Sequence, residues 1–163
     1  MKSVLSIDVP GAGPETVFDL ARDVARWPEL LPHYRKVTIQ SRTHGKVLAQ
    51  MTASRRFGPL PVPVSWRTEQ WTDASDPADL QLHFRHVRGV TRGMVVVWHI
   101  RPRAGGSTIS IEHAFQRRLP LLGDDFLPAL VDRFFVRPIA GRTLAAFRDL
   151  AQAGQTGRRA DGE

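Results

Sequence analysis

The chain of 163 residues has no cysteine, which removes a disulfide framework, a thiolate metal site and a thiol nucleophile together. It also lacks an apolar run approaching the roughly 18 residues of a membrane span, and Met1-Lys2-Ser3-Val4-Leu5 passes directly into alternating residues rather than a signal sequence. These absences lead to the expectation of a soluble, cytoplasmic protein. Acidic residues are the scarcer charge: 16 Asp and Glu stand against 23 Lys and Arg, for a formal charge of +7. Arg158 and Arg159 are balanced by Asp161 and Glu163, so the excess belongs to the part of the chain before Gly154. Yet no basic run exceeds two residues, and no zinc-finger spacing or aromatic RNP-like strand accompanies the charge. No nucleic-acid partner is expected.

Two further motifs are missing. Ser65 and Ser110 have no evident His–Asp partners and no Gly-x-Ser-x-Gly elbow occurs, which argues against a serine hydrolase. Gly11-Ala12-Gly13 resembles the start of a dinucleotide loop, but Thr16 occupies the place of the third glycine and no βαβ alternation follows. It reads as a turn. No cofactor and no metal are expected. His83 and His86 fall on opposite faces of a strand, as do Glu112 and His113, so neither pair converges on an ion.

What is present is a strong pattern. Lys2 to Val9 alternates as a first strand, with Leu5, Ile7 and Val9 on one side and Pro10 closing it. Pro14 and Glu15 open a helix whose stripe is Val17, Phe18, Leu20, Ala21 and Val24, and Trp27-Pro28 leads into a short second helix near Glu29 to Leu31. From Tyr34 the texture becomes extended, with turns at Thr43-His44-Gly45, Gly58-Pro59, Asp73 to Pro77, Arg88-Gly89 and Gly105-Gly106. Six further strands joined by short turns predict an antiparallel meander.

The closing segment, Asp124 to Ala153, reads as a long helix. Leu127, Leu130, Val131, Phe134, Gly141 and Ala145 make its apolar face, Asp124 and Asp125 favour its N-terminus, and Pro138 predicts a kink or a split into two pieces. The fold class is therefore α+β: a seven-stranded curved antiparallel sheet, two short helices after the first strand, and a long C-terminal helix over the sheet. The domain spans residues 1–153, and 154–163 reads as a flexible polar tail.

Alternation assigns the inward residues. They are Val62, Val64, Trp66, Thr68 and Gln70 on one strand; Leu80, Leu82, Phe84 and His86 on the next; then Met94, Val96, Trp98 and Ile100; then Ile109, Ile111, His113 and Phe115. Val47, Ala49, Met51 and Ala53 oppose these large rings with small or flexible side chains, and Arg55 continues that row. Such a wall suits an apolar ligand pocket, although a filled core uses the same residue types. Trp71 falls on the outer face, where exposure would mark a peripheral membrane contact or a partner surface.

The segments Val17-Phe18-Asp19-Leu20, Asp23-Val24-Ala25-Arg26-Trp27-Pro28-Glu29-Leu30-Leu31 and Trp98-His99-Ile100-Arg101-Pro102 before Gly105-Gly106, with the closing amphipathic helix, carry a family resemblance. The chain resembles the START/polyketide-cyclase (SRPBCC, helix-grip) superfamily over about residues 2 to 152. Within it the chain is most similar to bacterial polyketide aromatase/cyclases and to START-like proteins that bind coenzyme Q and other lipids. The resemblance implies a hydrophobic ligand between sheet and helix. It places Trp27 and Tyr34 at the pocket mouth and Trp66 and Trp98 on facing walls. In the cyclases an arginine on the fourth strand orients the polyketide; here that position falls near Gln70, with Arg67 close by. Glutamine can bond a carbonyl but has no fixed charge for a developing enolate.

The candidate ligand-binding residues are thus Trp27, Tyr34, Met51, Arg55, Trp66, Gln70, Phe84, His86, Trp98, His113 and Phe134. His86, His113 and Gln70 are the candidates for proton transfer or carbonyl orientation, beside the plainer reading of structural histidines at a pocket rim. Three functions stay open: a binder of a lipid, quinone or polyketide-like molecule; a cyclase/dehydratase closing a poly-β-ketone by aldol chemistry; and an accessory factor acting through its surface.

Overall fold

Each strand forms where period-two alternation meets a turn signal, and the resulting elements enclose one interior. The computed structural model describes residues 2–57, 60–89, 91–115 and 137–160. In order they are β1 (Lys2–Pro10), α1 (Pro14–Arg22), a 3₁₀ turn (Val24–Arg26), α2 (Trp27–Leu30), β2 (Tyr34–Thr43), β3 (Lys46–Phe57), β4 (Leu60–Asp73), β5 (Leu80–Gly89), β6 (Val95–Arg103), β7 (Gly106–Ala114) and α3 (Arg137–Ala160).

The strands form one seven-stranded sheet in the order β1-β7-β6-β5-β4-β3-β2. Every pairing is antiparallel. Strands β2 to β7 are a meander, and β1 joins its far edge against β7, so the helical segment after β1 carries the chain from one sheet edge to the other. Register shifts at Tyr34/Lys36 and Ile39/Ser41 in β2 and at Arg67/Thr68 in β4 mark bulges, which bend strands and tighten their twist. The sheet thereby curves around its apolar face.

That face holds the expected rows, including Ala49, Met51, Ala53, Trp66, Leu82, Phe84, Trp98, Ile100, Ile109 and Ile111, all buried. Val62 departs from its assignment. It is 38% exposed and Leu60 67%, both at the end of β4 next to the β3–β4 turn, where the described residues leave the face uncovered.

Helix α1 starts at Pro14 and buries Pro14, Val17, Phe18 and Ala21. Helix α3 packs against β1, α1 and β3. Its buried residues Ala140, Thr143, Leu144, Phe147 and Ala151 keep three- and four-residue spacing, so this is the face presented to the sheet. Gly141 and Ala145, assigned to the apolar face from sequence, are only half-buried beside it. The face is rotated because Thr143, polar in type, occupies a core position. The helix also runs to Ala160, past the boundary at Ala153 read from sequence. Asp124, Asp125, Leu127, Leu130, Val131 and Phe134 lie outside the described residues.

Candidate functional site

The large rings of the interior meet in one cluster. Trp27 is its centre, with ring centroids 5.0 Å from Tyr34, 5.8 Å from Phe84, 5.7 Å from Trp98 and 5.9 Å from Phe147. Its indole N–H donates to the Ala21 carbonyl at 3.0 Å, which supplies the partner a buried tryptophan needs. Trp27 is only 2% exposed, so it stands deep in the interior rather than at the mouth where the resemblance placed it.

Beside this cluster lies a cavity of about 80 Å³. The sheet contributes Tyr34, Met51, Val64, Trp66, Phe84, Val96, Trp98 and Ile111 to its wall, and α3 closes it with Ile139, Ala140 and Thr143. At one end sit His86, Thr91, Met94 and His113, the cavity's most polar stretch.

Local geometry explains why His86 reaches that place. The β4–β5 register runs from Thr68↔His86 to Arg67↔Arg88, so Val87 is an extra residue in β5. Gly89 then adopts φ +98°, and a Cβ there would stand 2.6 Å from the Ser65 carbonyl oxygen, an approach only glycine tolerates. The following turn folds back: Gly93 N–H donates to the His86 carbonyl at 2.8 Å and His86 N–H to the Met94 carbonyl at 2.9 Å. This brings the Thr91 hydroxyl within 2.7 Å of His86 Nδ1. The imidazole also stacks on Trp66, with centroids 5.8 Å apart and planes 19° from parallel.

Burial, reinforced by the nearby His113, pulls the His86 pKa down to about 3. The ring is therefore neutral at physiological pH and offers one donor and one acceptor rather than a charge. On the α3 side, the Thr143 hydroxyl donates to the Ile139 carbonyl at 2.9 Å and lies 2.8 Å from His33 Nε2. One hydroxyl thus links the helix backbone to the His33 ring. Burial and the charge of Arg142 lower His33 to about 4. Burial raises the Tyr34 hydroxyl, partly offset by its hydrogen bond with Thr143.

Of the residues singled out from sequence, Trp27, Tyr34, Met51, Trp66, Phe84, His86, Trp98 and His113 come together around this cavity. Gln70 does not. It is inward and 3% exposed, but its amide donates to the Arg22 carbonyl at 3.0 Å, satisfying the C-terminal end of α1. Arg67 also stays out of the wall, so no β4 arginine enters the cavity. The side chain of Arg55 and all of Phe134 lie outside the described residues. Thr91, Thr143 and His33 were not recognised from sequence; Thr143 was detectable as the residue three after Ala140 and four before Phe147. Trp71 is half-buried, stacked on His83 at 5.1 Å with Lys46 5.0 Å from its ring.

The sequence pattern of the family described as "Polyketide cyclase / dehydrase and lipid transport" matches residues 10–148. The chain belongs to that family. Among solved structures, a protein from Thermus thermophilus superposes with a TM-score of 0.74 at 18% identity, covering 94% of this chain and 99% of that one. The Zhui aromatase/cyclase from Streptomyces sp. R1128 gives 0.69 at 16% identity, covering 93% and 92%. A STAR-related lipid transfer protein from Xanthomonas axonopodis gives 0.65 at 14% identity, covering 93% and 85%. At these identities the superpositions establish the helix-grip fold that this polyketide cyclase/dehydrase family member shares with them. No curated protein matches the sequence. Among the described residues no helix is long and apolar enough to cross a membrane, and no group of three His, Asp or Glu residues could hold a metal ion.

Proposed function

We propose that this protein binds a hydrophobic small molecule, of lipid, quinone or polyketide-like character, between the sheet and α3. The observation that carries the reading is the cavity wall: among the described residues it is largely aromatic and aliphatic, with hydrogen-bonding groups gathered at the His86–His113 end and around Tyr34 and Thr143. Such a wall rewards apolar contact and fixes orientation through one or two oxygens. The cavity's 80 Å³ is below the roughly 300 Å³ at which ligand pockets begin, so admission requires a wall to move. The sheet walls are tied by ladder hydrogen bonds, whereas Ile139, Ala140 and Thr143 are tied by side-chain packing and the His33–Thr143 bond. Helix α3 is the wall that gives.

Aldol cyclisation would require a cavity group to accept a proton. A histidine held at about 3 is a weak base at neutral pH, which ranks binding ahead of catalysis. The test is native mass spectrometry of protein purified from its own host, followed by organic extraction. The reading expects a hydrophobic molecule recovered unchanged, with occupancy reduced in Trp66→Phe. Turnover of a poly-β-ketone mimic that disappears in His86→Ala would replace it with the cyclase.

A further inference from the structure

On the outer side of the α3 wall lies a second depression, of about 640 Å³, lined by Pro32, His33, Arg35, Ser54, Arg142 and neighbouring small residues. Among the described residues no acidic side chain lines it. Arg22, Arg26, Arg85, Arg101, Arg103 and Arg148 each meet a carboxylate, whereas Arg35 and Arg142 meet none among the described residues.

The sheet itself places Arg35 there. Tyr34 pairs with Ala53 and Lys36 with Thr52, so Arg35 is the extra residue of a β-bulge, and the backbone beside it is pinned by the Ser54 N–H bond to the His33 carbonyl at 2.7 Å. A bulge re-aims one side chain, and this one faces the depression that α3 completes with Arg142. The depression and the apolar cavity share a partition. His33 belongs to the depression and Thr143 to the cavity, and the two are bonded to each other at 2.8 Å. Arg142 and Thr143 are consecutive on α3 and look to opposite sides of that partition.

We propose that Arg35 and Arg142 form an anion subsite for an acidic group, carboxylate or phosphate, borne by the ligand whose apolar part occupies the cavity. The proposal rests on the binding role given above and specifies its ligand as an anionic amphiphile. Guanidinium groups bond such oxygens in paired, planar geometry. Displacing α3 to admit an apolar chain opens the His33–Thr143 partition as well, so one movement joins tail site and head site.

The test compares decanoate with decanol, equal chains differing in charge, by tryptophan fluorescence titration at about pH 8, where a carboxylic acid is ionised. Decanoate is expected to bind about tenfold more tightly than decanol at low ionic strength, with the advantage shrinking as salt is added. In the Arg35→Gln/Arg142→Gln double variant the advantage should fall below about twofold, with decanol affinity unchanged. Both arginines are exposed, so thermal melting is expected to match the parent chain. Inorganic phosphate separates a tail-borne anion from a free one. Competition against decanoate but not decanol supports the subsite, whereas phosphate binding as tightly as decanoate assigns the arginines to a free anion and overturns the link to the cavity. Equal affinity of acid and alcohol, or a preference unaltered by the double variant, overturns the proposal while leaving the apolar site intact. Failure of both decanol and decanoate to bind removes the apolar site and the proposal together.

Discussion

Strands β4 and β5 build the same object twice, once on each face of the sheet. Inside, Trp66 stacks on His86; outside, Trp71 stacks on His83. The outer pair sits among charges, with Lys46 against Trp71, the Arg85–Glu69 ion pair alongside, and Asp73 drawing the His83 pKa back up against burial. The inner pair meets a hydroxyl, a second histidine and empty space. A tryptophan–histidine stack is thus not in itself a site. Burial lowers both histidines; what distinguishes the inner one is that it is pulled down much further, to about 3, and that it borders the cavity.

That comparison is sharpened most by Trp66→Ala against Trp71→Ala. The inner truncation is expected to cost about 3–5 kcal/mol, since it enlarges a cavity already present, and the outer about 1 kcal/mol, both read from urea midpoints. Comparable losses would break the distinction. The second effect is pH. His86 is neutral in the folded state down to about 3, while the unfolded chain protonates it below about 6.5. Its contribution is therefore fully present above pH 6.5 and lost as pH falls, by about 2 kcal/mol at pH 5. His33 adds in the same direction between about 6.5 and 4. His86→Phe should flatten the stability–pH curve by its share, and an unchanged slope would place His86 outside the neutral interior.

Smaller again is Gln70→Ala, which leaves the Arg22 carbonyl without its buried donor at a cost of about 1–2 kcal/mol and no change in ligand occupancy. A loss of occupancy would return Gln70 to the site. Least of all is Glu69→Gln on the outer face, where an exposed pair with Arg85 is expected to give about 0.2–1 kcal/mol in thermal melts.

Alternation alone located most of the cavity, because a strand's period of two sorts faces whatever the tertiary context. It did less for polar residues. Gln70 has the inward parity of Trp66, yet what it does depends on the end of α1, 48 residues away in sequence. Nor could parity anticipate that Val87 would be extra in β5 and Arg35 in β2, since a bulge is visible only once two strands are paired. On α3 the apolar residues pointed to a face one position from the real one, because Thr143 satisfies its hydroxyl on Ile139 within the helix and can then be buried like an apolar residue.

The pairing of β1 with β7 has a temporal consequence. The hydroxyls of Ser6 and Ser110 meet at 2.8 Å across 104 positions of sequence. Strand β1 therefore has no sheet neighbour until β7 has been made, and the interior has no final shape before then. Such separations slow folding, because the entropy of closing the loop is spent before the contacts return it. While β1 waits, Val9 and the apolar stripe of α1 are without their partners, so the nascent chain passes through a sticky interval that ends when β7 arrives.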